Sequence, residues 1–153
     1  MTTFQLYYNN FLPGSGATAP TLSYPEHTFS DIFRGTSFFV KTSNGTLYTL
    51  SQAGMIPSVY TQPDAKVVCQ TQLGLSSTYV VINNQGDLYA WGYHPGDGSS
   101  TGKSVPVKIQ GLLQGKVVTQ CAASGSSISV LTSDNQIYSW GFGVNGQVRY
   151  EIP

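Results

Sequence analysis

The apolar residues of this chain fall in short runs of β-branched and aromatic side chains, and Gly or Pro interrupts the pattern roughly every ten residues. The runs TYVVIN at 78–83 and LYAW at 88–91 show the arrangement, with the polar turn NQGD between them. This pattern predicts a β-hairpin. Helical periodicity is missing, and Ser and Thr occupy positions where Ala, Glu and Lys would favour a helix. We therefore expect an all-β fold of antiparallel strands.

The same pattern recurs along the chain. Residues 66–92 and 116–141 are loose copies of each other, and residues 37–50 form a weaker third copy. The aligned tyrosines Tyr48, Tyr89 and Tyr138 are 41 and 49 residues apart. A fragment at residues 5–8 resembles residues 87–90 and opens the chain in the same way. Self-similarity at this period indicates one supersecondary unit used several times.

Each repeat contains signals for more than a hairpin. The equivalent turns carry Asn-Gly at 44–45, Gln-Gly at 85–86 and Asp-Asn at 134–135, which suits a left-handed second turn residue. Residues 66–69 and 116–119 predict an inner strand, and residues 105–109 predict an outer one. Pro106 confines that outer strand to a sheet edge, because proline has no N–H to donate to a further strand.

Three or four short strands that recur as a block describe β-propeller blades better than a sandwich. We expect one domain, residues 1–153, with an N-terminal strand and loop at 1–29 and repeats at 30–65, 66–115 and 116–153. Trp91 and Trp140 occupy the same position in successive repeats, where the first repeat has Leu50. Because a blade hides its apolar face only against a neighbour, we expect these residues to anchor the contacts between blades.

The composition of the chain excludes some classes of ligand and location. The chain has 153 residues, 40% of them hydrophobic, which suffices for one core. Charged residues make up only 9% and balance to zero, so no basic surface is available to bind a nucleic acid backbone. The start of the chain has neither a basic region nor an apolar run, and no apolar run is long enough to span a membrane. These features predict a soluble protein of the cytoplasm or nucleus.

Candidate chemistry is sparse. Cys69 and Cys121 fall in equivalent inner segments, two positions out of register, and we expect two buried free thiols; a disulfide or metal pair is the alternative. The carboxylates are scattered and His27 and His94 lie in loops, so no catalytic residue, cofactor or metal ligand is assigned. Residues 97–104 miss the phosphate-loop pattern because Asp97 replaces its first glycine, and a strand-like segment follows instead of a helix.

One segment is similar to a known repeat. Residues 140–149, WGFGVNGQVR, resemble the W-G-x-N-x-x-G-Q-L-G element of the regulator of chromosome condensation repeat family, matching at Trp140, Gly141, Gly146 and Gln147. Trp91 and Gly92 repeat its first two residues. Gly143 replaces the usual Asn and Arg149 the last Gly. The resemblance implies a β-propeller that binds proteins, and the family's founding member is a guanine-nucleotide exchange factor for a small GTPase.

Together these features predict a non-enzymatic protein-interaction module or scaffold. The alternatives are a guanine-nucleotide exchange factor and a sugar-binding propeller. Tyr60, Tyr93, His94 and Tyr150 are the candidate partner surface. Family propellers close with seven blades, whereas this chain has about three, so its two end blades need covering. We expect two copies to close one ring as a homodimer; the alternative is that the chain is part of a longer propeller.

Overall fold

A computed structural model of the protein describes residues 7–8, 21–22, 27–34, 38–51, 54–73, 76–125 and 127–141. These residues form thirteen β-strands and one short 3₁₀ turn, with no α-helix among them. The all-β prediction is therefore confirmed. No helix in the described part of the chain is long and apolar enough to cross a membrane.

The strands form one two-stranded sheet and three larger sheets, which we call blades 1, 2 and 3. The small sheet consists of β1 (Tyr7–Tyr8) and β2 (Thr21–Leu22). Blade 1 consists of β3 (Phe29–Arg34), β4 (Phe38–Thr42), β5 (Leu47–Ser51) and β6 (Gly54–Pro57). Blade 2 consists of β7 (Ala65–Leu73), β8 (Ser76–Asn83), β9 (Leu88–Gly92) and β10 (Lys103–Lys108). Blade 3 consists of β11 (Val118–Ser124), β12 (Ser127–Thr132) and β13 (Ile137–Gly141), and the 3₁₀ turn Gly111–Leu113 connects blades 2 and 3.

Each blade is an antiparallel meander whose strands pair in chain order. Blades 1 and 2 have four strands, and blade 3 has three within the described residues. β10 lies at the edge of blade 2, which confirms the position predicted from Pro106. The inner strands β3, β7 and β11 lie side by side, so the blades are arranged around a common axis.

The hairpin turns have the predicted conformation. Gly45, Gly86 and Asn135 have φ values of 92°, 83° and 63°, so all three are left-handed. The N–H of Gly86 donates to the carbonyl oxygen of Asn83 at 3.0 Å, and the other two turns make the equivalent bond. These bonds close each turn and thereby set the register of its hairpin.

The structure corrects the predicted alignment of the inner strands. In every blade the first residue of the inner strand pairs with the last residue of the second strand, and a bulge follows: the pairs are Phe29–Thr42, Ala65–Asn83 and Val118–Thr132. Val118 is therefore equivalent to Ala65, whereas the similarity of residues 66–68 to 116–118 had aligned Val118 with Val68. That similarity is local, and the hydrogen bonds of the hairpins decide the register instead.

The apolar core lies between blades. One cluster joins blade 1 to blade 2 and contains Phe39, Leu47, Val81 and Trp91. A second cluster joins blade 2 to blade 3 and contains Val80, Leu88, Ile128, Val130 and Trp140. We call these clusters the first and second seams. Neighbouring blades thus bury the apolar faces that they turn towards each other, as repeat proteins do.

Candidate interaction surface

Trp91 is buried in the first seam. Its ring stacks on Tyr79 of the same blade, with ring centroids 5.3 Å apart. Tyr60, from the segment between β6 and β7, stacks on it at 6.4 Å. Tyr79 in turn makes an edge contact with Phe39 of blade 1 at 5.9 Å. The aromatic residues of this seam therefore form one continuous stack between two blades.

Tyr60 does not belong to the partner surface, and this part of the prediction is wrong. Its side chain is only 3% exposed, because the segment after β6 folds back over the seam. The Oη atom donates a hydrogen bond to Oδ1 of Asp64 at 2.6 Å. Burial, followed by the hydrogen bond to the Asp64 carboxylate, raises the pKa of Tyr60 far above its usual value. The hydroxyl is thus a permanent donor inside the fold.

Trp140 is buried in the second seam, and the backbone at Gly96 packs against its ring. A Cβ atom added at Gly96 would lie 2.4 Å from the indole Nε1, so the connection between β9 and β10 lies directly on the ring. Within the described residues this Nε1 has no hydrogen-bond partner. Leu50, at the equivalent place in blade 1, is only half-buried.

The remaining residues of the predicted repeat core divide between the described and undescribed parts of the chain. Gly92 has a φ of 96°, and a Cβ there would lie 2.1 Å from the carbonyl oxygen of Ser77. Gly141 is the last residue of β13. Gly146, Gln147 and Tyr150 lie outside the described residues.

Cys69 and Cys121 form a disulfide, so the expectation of two free thiols is wrong. The bond joins β7 to β11, with the Cα atoms 6.3 Å apart. Cys121 pairs with Val130, and its equivalent in blade 2 is Val68, which pairs with Val81. The two cysteines are therefore one position out of register, not two. This offset suits a bond between neighbouring inner strands.

A polar cavity of about 460 Å³ opens beside the disulfide. Arg34 of β3, Gln70 and Gln72 of β7, and Ala122 and Ser124 of β11 line it. The cavity thus lies where the three inner strands meet, on the axial side of the blades. Among the described residues no three His, Cys, Asp or Glu side chains are close enough to hold a metal ion.

The segment that resembles a phosphate loop has a structural role. Oδ1 of Asp97 accepts hydrogen bonds from the backbone N–H and the hydroxyl of Ser99, at 3.1 and 2.8 Å. Its Oδ2 forms an ion pair with Nζ of Lys103 at 3.2 Å. The lysine that would bind a phosphate is therefore paired with the residue that replaces the first glycine, and strand β10 follows as predicted.

Exposed apolar side chains lie along the outer edges of blades 2 and 3. Val105 on β10 is 61% exposed, Ile137 on β13 is 72% exposed, and Leu112 in the 3₁₀ turn is 55% exposed. Tyr93 is exposed next to a half-buried His94, with ring centroids 4.2 Å apart. The sequence-based prediction of a partner surface includes Tyr93 and His94 but not the three aliphatic residues.

A second, larger cavity lies along the edge of β13 that pairs with no other strand among the described residues. Its volume is about 910 Å³, and its walls include Ile109, Leu112, Ile137, Tyr138 and Trp140. The cavity extends the second seam outward, between the end of blade 2 and the last strand of blade 3. Its wall combines apolar side chains with a strand edge.

Several proteins resemble part of the sequence, two of which are described below, and no protein-family model matches it. The E3 ubiquitin-protein ligases HERC2 of Homo sapiens and Mus musculus are each 33% identical over 82 residues, which is 50% of this chain and 2% of theirs. The chain therefore spans a very small part of these relatives.

Solved structures share the fold. Human WBSCR16 superposes with a TM-score of 0.62 at 18% identity, over 84% of this chain and 39% of its own. Prp20p of Saccharomyces cerevisiae, described with its binding to Gsp1p and histones, superposes with a TM-score of 0.63 at 12% identity, over 82% and 34%. The chain spans less than half of either. These similarities and the three blades show that the fold is an arc of a β-propeller.

Proposed function

We propose that this chain is a non-enzymatic module that binds a protein partner through the outer edges of its blades. The exposure of Val105 on β10, of Leu112 in the 3₁₀ turn and of Ile137 on β13 carries the proposal. Large apolar side chains on a rigid all-β frame favour docking of another protein, because binding removes them from water. The likeness in fold to Prp20p, whose reported ligands are proteins, supports it.

The charges of the surface favour the same kind of contact. Lys108 pairs with Asp87 at 2.8 Å and Lys103 pairs with Asp97 at 3.2 Å, while Lys116 pairs with Asp134. Since these charges are neutralised within the chain, little net field is available to attract a charged ligand. Apolar contact is the dominant source of affinity at this surface.

Affinity capture from the source lysate tests the proposal. The chain is used as bait beside Val105→Asp, and beside Val59→Asp as a matched control on an exposed residue between β6 and β7. We expect the unmodified chain and the control to enrich the same protein, and Val105→Asp to lose most of it. Failure of the unmodified chain to enrich any protein above background contradicts the proposal.

Guanine-nucleotide exchange on a small GTPase is the second candidate, and the resemblance of residues 140–149 to the repeat of an exchange factor favours it. The test measures release of fluorescent GDP from candidate GTPases with and without the chain. Release accelerated at least about tenfold, corresponding to about 1.4 kcal/mol of barrier, would assign exchange activity. An unchanged rate supports the interaction module.

A further inference from the structure

In blades 1 and 2, a fourth strand pairs with the outer edge of the third strand. β6 pairs with β5 in blade 1, and β10 pairs with β9 in blade 2. Within the described residues, β13 pairs only with β12. Its other edge has backbone N–H and C=O groups in the position that binds a fourth strand elsewhere in the chain.

β10 shows what such a strand contributes to a seam. Val107 pairs with Ala90 and packs against the second seam. Ile109, two residues later, is buried in that seam and its N–H donates to the carbonyl oxygen of Leu88 at 2.8 Å. Val105 is largely exposed. The strand therefore combines ladder hydrogen bonds with apolar side chains at alternate positions.

The cavity beside β13 fits a strand of the same kind. Leu112 and Ile137 provide exposed apolar contacts, and its volume of about 910 Å³ admits several side chains. The formal charges in its wall belong to Asp97 and Lys108, and both are already paired with residues of this chain. An unpaired charge entering the cavity would meet no free counter-charge, so the wall favours an uncharged segment.

We propose that the free edge of β13 and the adjacent cavity bind an extended segment of a partner protein. The segment has apolar residues at alternate positions facing the cavity, carries no charge there, and adds to blade 3 as its fourth strand. This inference rests on the proposed function and names the part of the surface, and the class of ligand, through which the module binds.

The test uses the full chain and a fluorescein-labelled peptide with the sequence of residues 103–109, KSVPVKI, which copies the strand that completes blade 2. We expect a saturable rise in fluorescence anisotropy. Leu112→Asp and Ile137→Asp should each weaken binding at least about tenfold, whereas Val59→Asp leaves it unchanged. A peptide with Asp at both of its central valines is the matched ligand control, and we expect it not to bind.

A second measurement localises the peptide. The chain contains two tryptophans, so a ¹⁵N-labelled sample gives two indole N–H signals. We expect the signal of Trp140, which lines the cavity, to shift on adding peptide while that of Trp91 stays in place. Trp91→Phe assigns the two signals.

Four results overturn the proposal. The first is absence of saturable binding up to about 1 mM peptide, where a dissociation constant of that size corresponds to a binding free energy of about −4 kcal/mol. The second is equal binding of the Asp peptide. The third is binding that appears only after residues 142–153 are deleted, and the fourth is binding that declines as the chain is concentrated and associates with itself. The third result assigns the edge to the chain's own C-terminal residues, and the fourth to a second copy. If lysate capture still succeeds, the module binds through another surface and the proposed function stands.

Discussion

Gly86 shows at the scale of one residue how a turn residue also governs contact between blades. Its φ of 83° is unfavourable for other residues, and a Cβ atom there would lie 2.5 Å from Cγ1 of Val117, at the entrance to β11. Its carbonyl oxygen accepts the N–H of Val118 at 2.9 Å. The glycine therefore allows the hairpin of blade 2 to approach the start of blade 3.

Gly86→Ala should lower the free energy of unfolding by about 2 to 4 kcal/mol, combining left-handed strain of about 1 kcal/mol with overpacking of about 1 to 3 kcal/mol. Gly98→Ala is the matched control, because Gly98 has a φ of 82° and nothing within 4 Å of its added Cβ. We expect Gly98→Ala to lower the free energy of unfolding only by the strain contribution. Urea denaturation measures both, and equal losses would contradict the close approach at Gly86.

Lys41 connects blades 1 and 2 through one ion pair and one hydrogen bond. Its Nζ lies 2.7 Å from Oδ2 of Asp31 and donates to the carbonyl oxygen of Ala65 on β7 at 3.0 Å. The hydrogen bond from Lys41, opposed by burial, keeps the pKa of Asp31 below its usual value. The ionised carboxylate thus holds the lysine over the seam.

A lowered pKa means that the stabilisation by Asp31 is complete above the unfolded value of about 3.9 and is lost as pH falls through the folded value. We expect Asp31→Asn to lower the free energy of unfolding at pH 7 by less than about 1 kcal/mol, because the pair is partly solvated. The difference from the unmodified chain should shrink towards zero as the pH falls below the lowered pKa of Asp31 in the folded state. Chemical denaturation at a series of pH values checks this, and a constant difference would contradict the assignment.

At the scale of elements, the seams hold neighbouring blades together. Trp91→Ala should cost about 3 to 5 kcal/mol, the range for large aromatic residues in a core. Leu50→Ala, at the equivalent but half-buried position of blade 1, should cost about 1 to 2 kcal/mol. Trp91→Phe keeps most of the stack and provides a measurable intermediate if the alanine variant does not fold. Equal losses at residues 50 and 91 in urea denaturation would show that the seam is not the main source of stability.

The disulfide adds a covalent link between the inner strands of blades 2 and 3. It closes a loop of 52 residues, for which the expected stabilisation is about 2 to 4 kcal/mol. Dithiothreitol should therefore lower the Tm of the unmodified chain, while the Cys69→Ser/Cys121→Ser variant melts at that lower temperature with or without reductant. A Tm unaffected by reductant, in a sample whose thiols are shown to be free after treatment, would contradict the link.

At the scale of the whole molecule, the two ends of the arc differ. The free face of blade 1 has exposed Ile32 and Phe38. On the free face of blade 3, Ser129 and Ser139 pair directly across the strands, with their Oγ atoms 2.8 Å apart. The equivalent positions of blade 2 are fully buried Val80 and Ala90. The free face of blade 3 thus combines this serine pair with the exposed Ile137, two residues before Ser139, whereas that of blade 1 has two large apolar side chains.

We propose that two copies associate in one ring. The free face of blade 1 is the surface whose exposed apolar side chains this association covers. We expect sedimentation equilibrium to give twice the chain mass of 16.4 kDa. Phe38→Asp should reduce the mass to that of one chain, whereas Val59→Asp should not. A folded, non-aggregating sample of the unmodified chain at the mass of one copy would contradict ring closure by a homodimer.

The sequence by itself determined what depends on neighbouring residues. Turn residues such as Asn135 specify left-handed conformations locally, and runs of β-branched and aromatic residues specify strands beside them. The recurrence of these signals was enough to predict the hairpins, the edge position of β10 and an all-β fold built from blades. The spacing of Trp91 and Trp140 depends only on the repeat and was also visible in the sequence.

Only the tertiary structure decided how the blades meet. The disulfide depends on the lateral placement of β7 and β11, which are far apart in the chain, and a local likeness had misaligned their register. Tyr60 is buried because a connecting segment folds over a seam formed by two other elements. Leu112 and Ile137 become neighbours of one cavity only after blades 2 and 3 pack together. Contacts between distant segments depend on packing in three dimensions, which no local pattern of residues encodes.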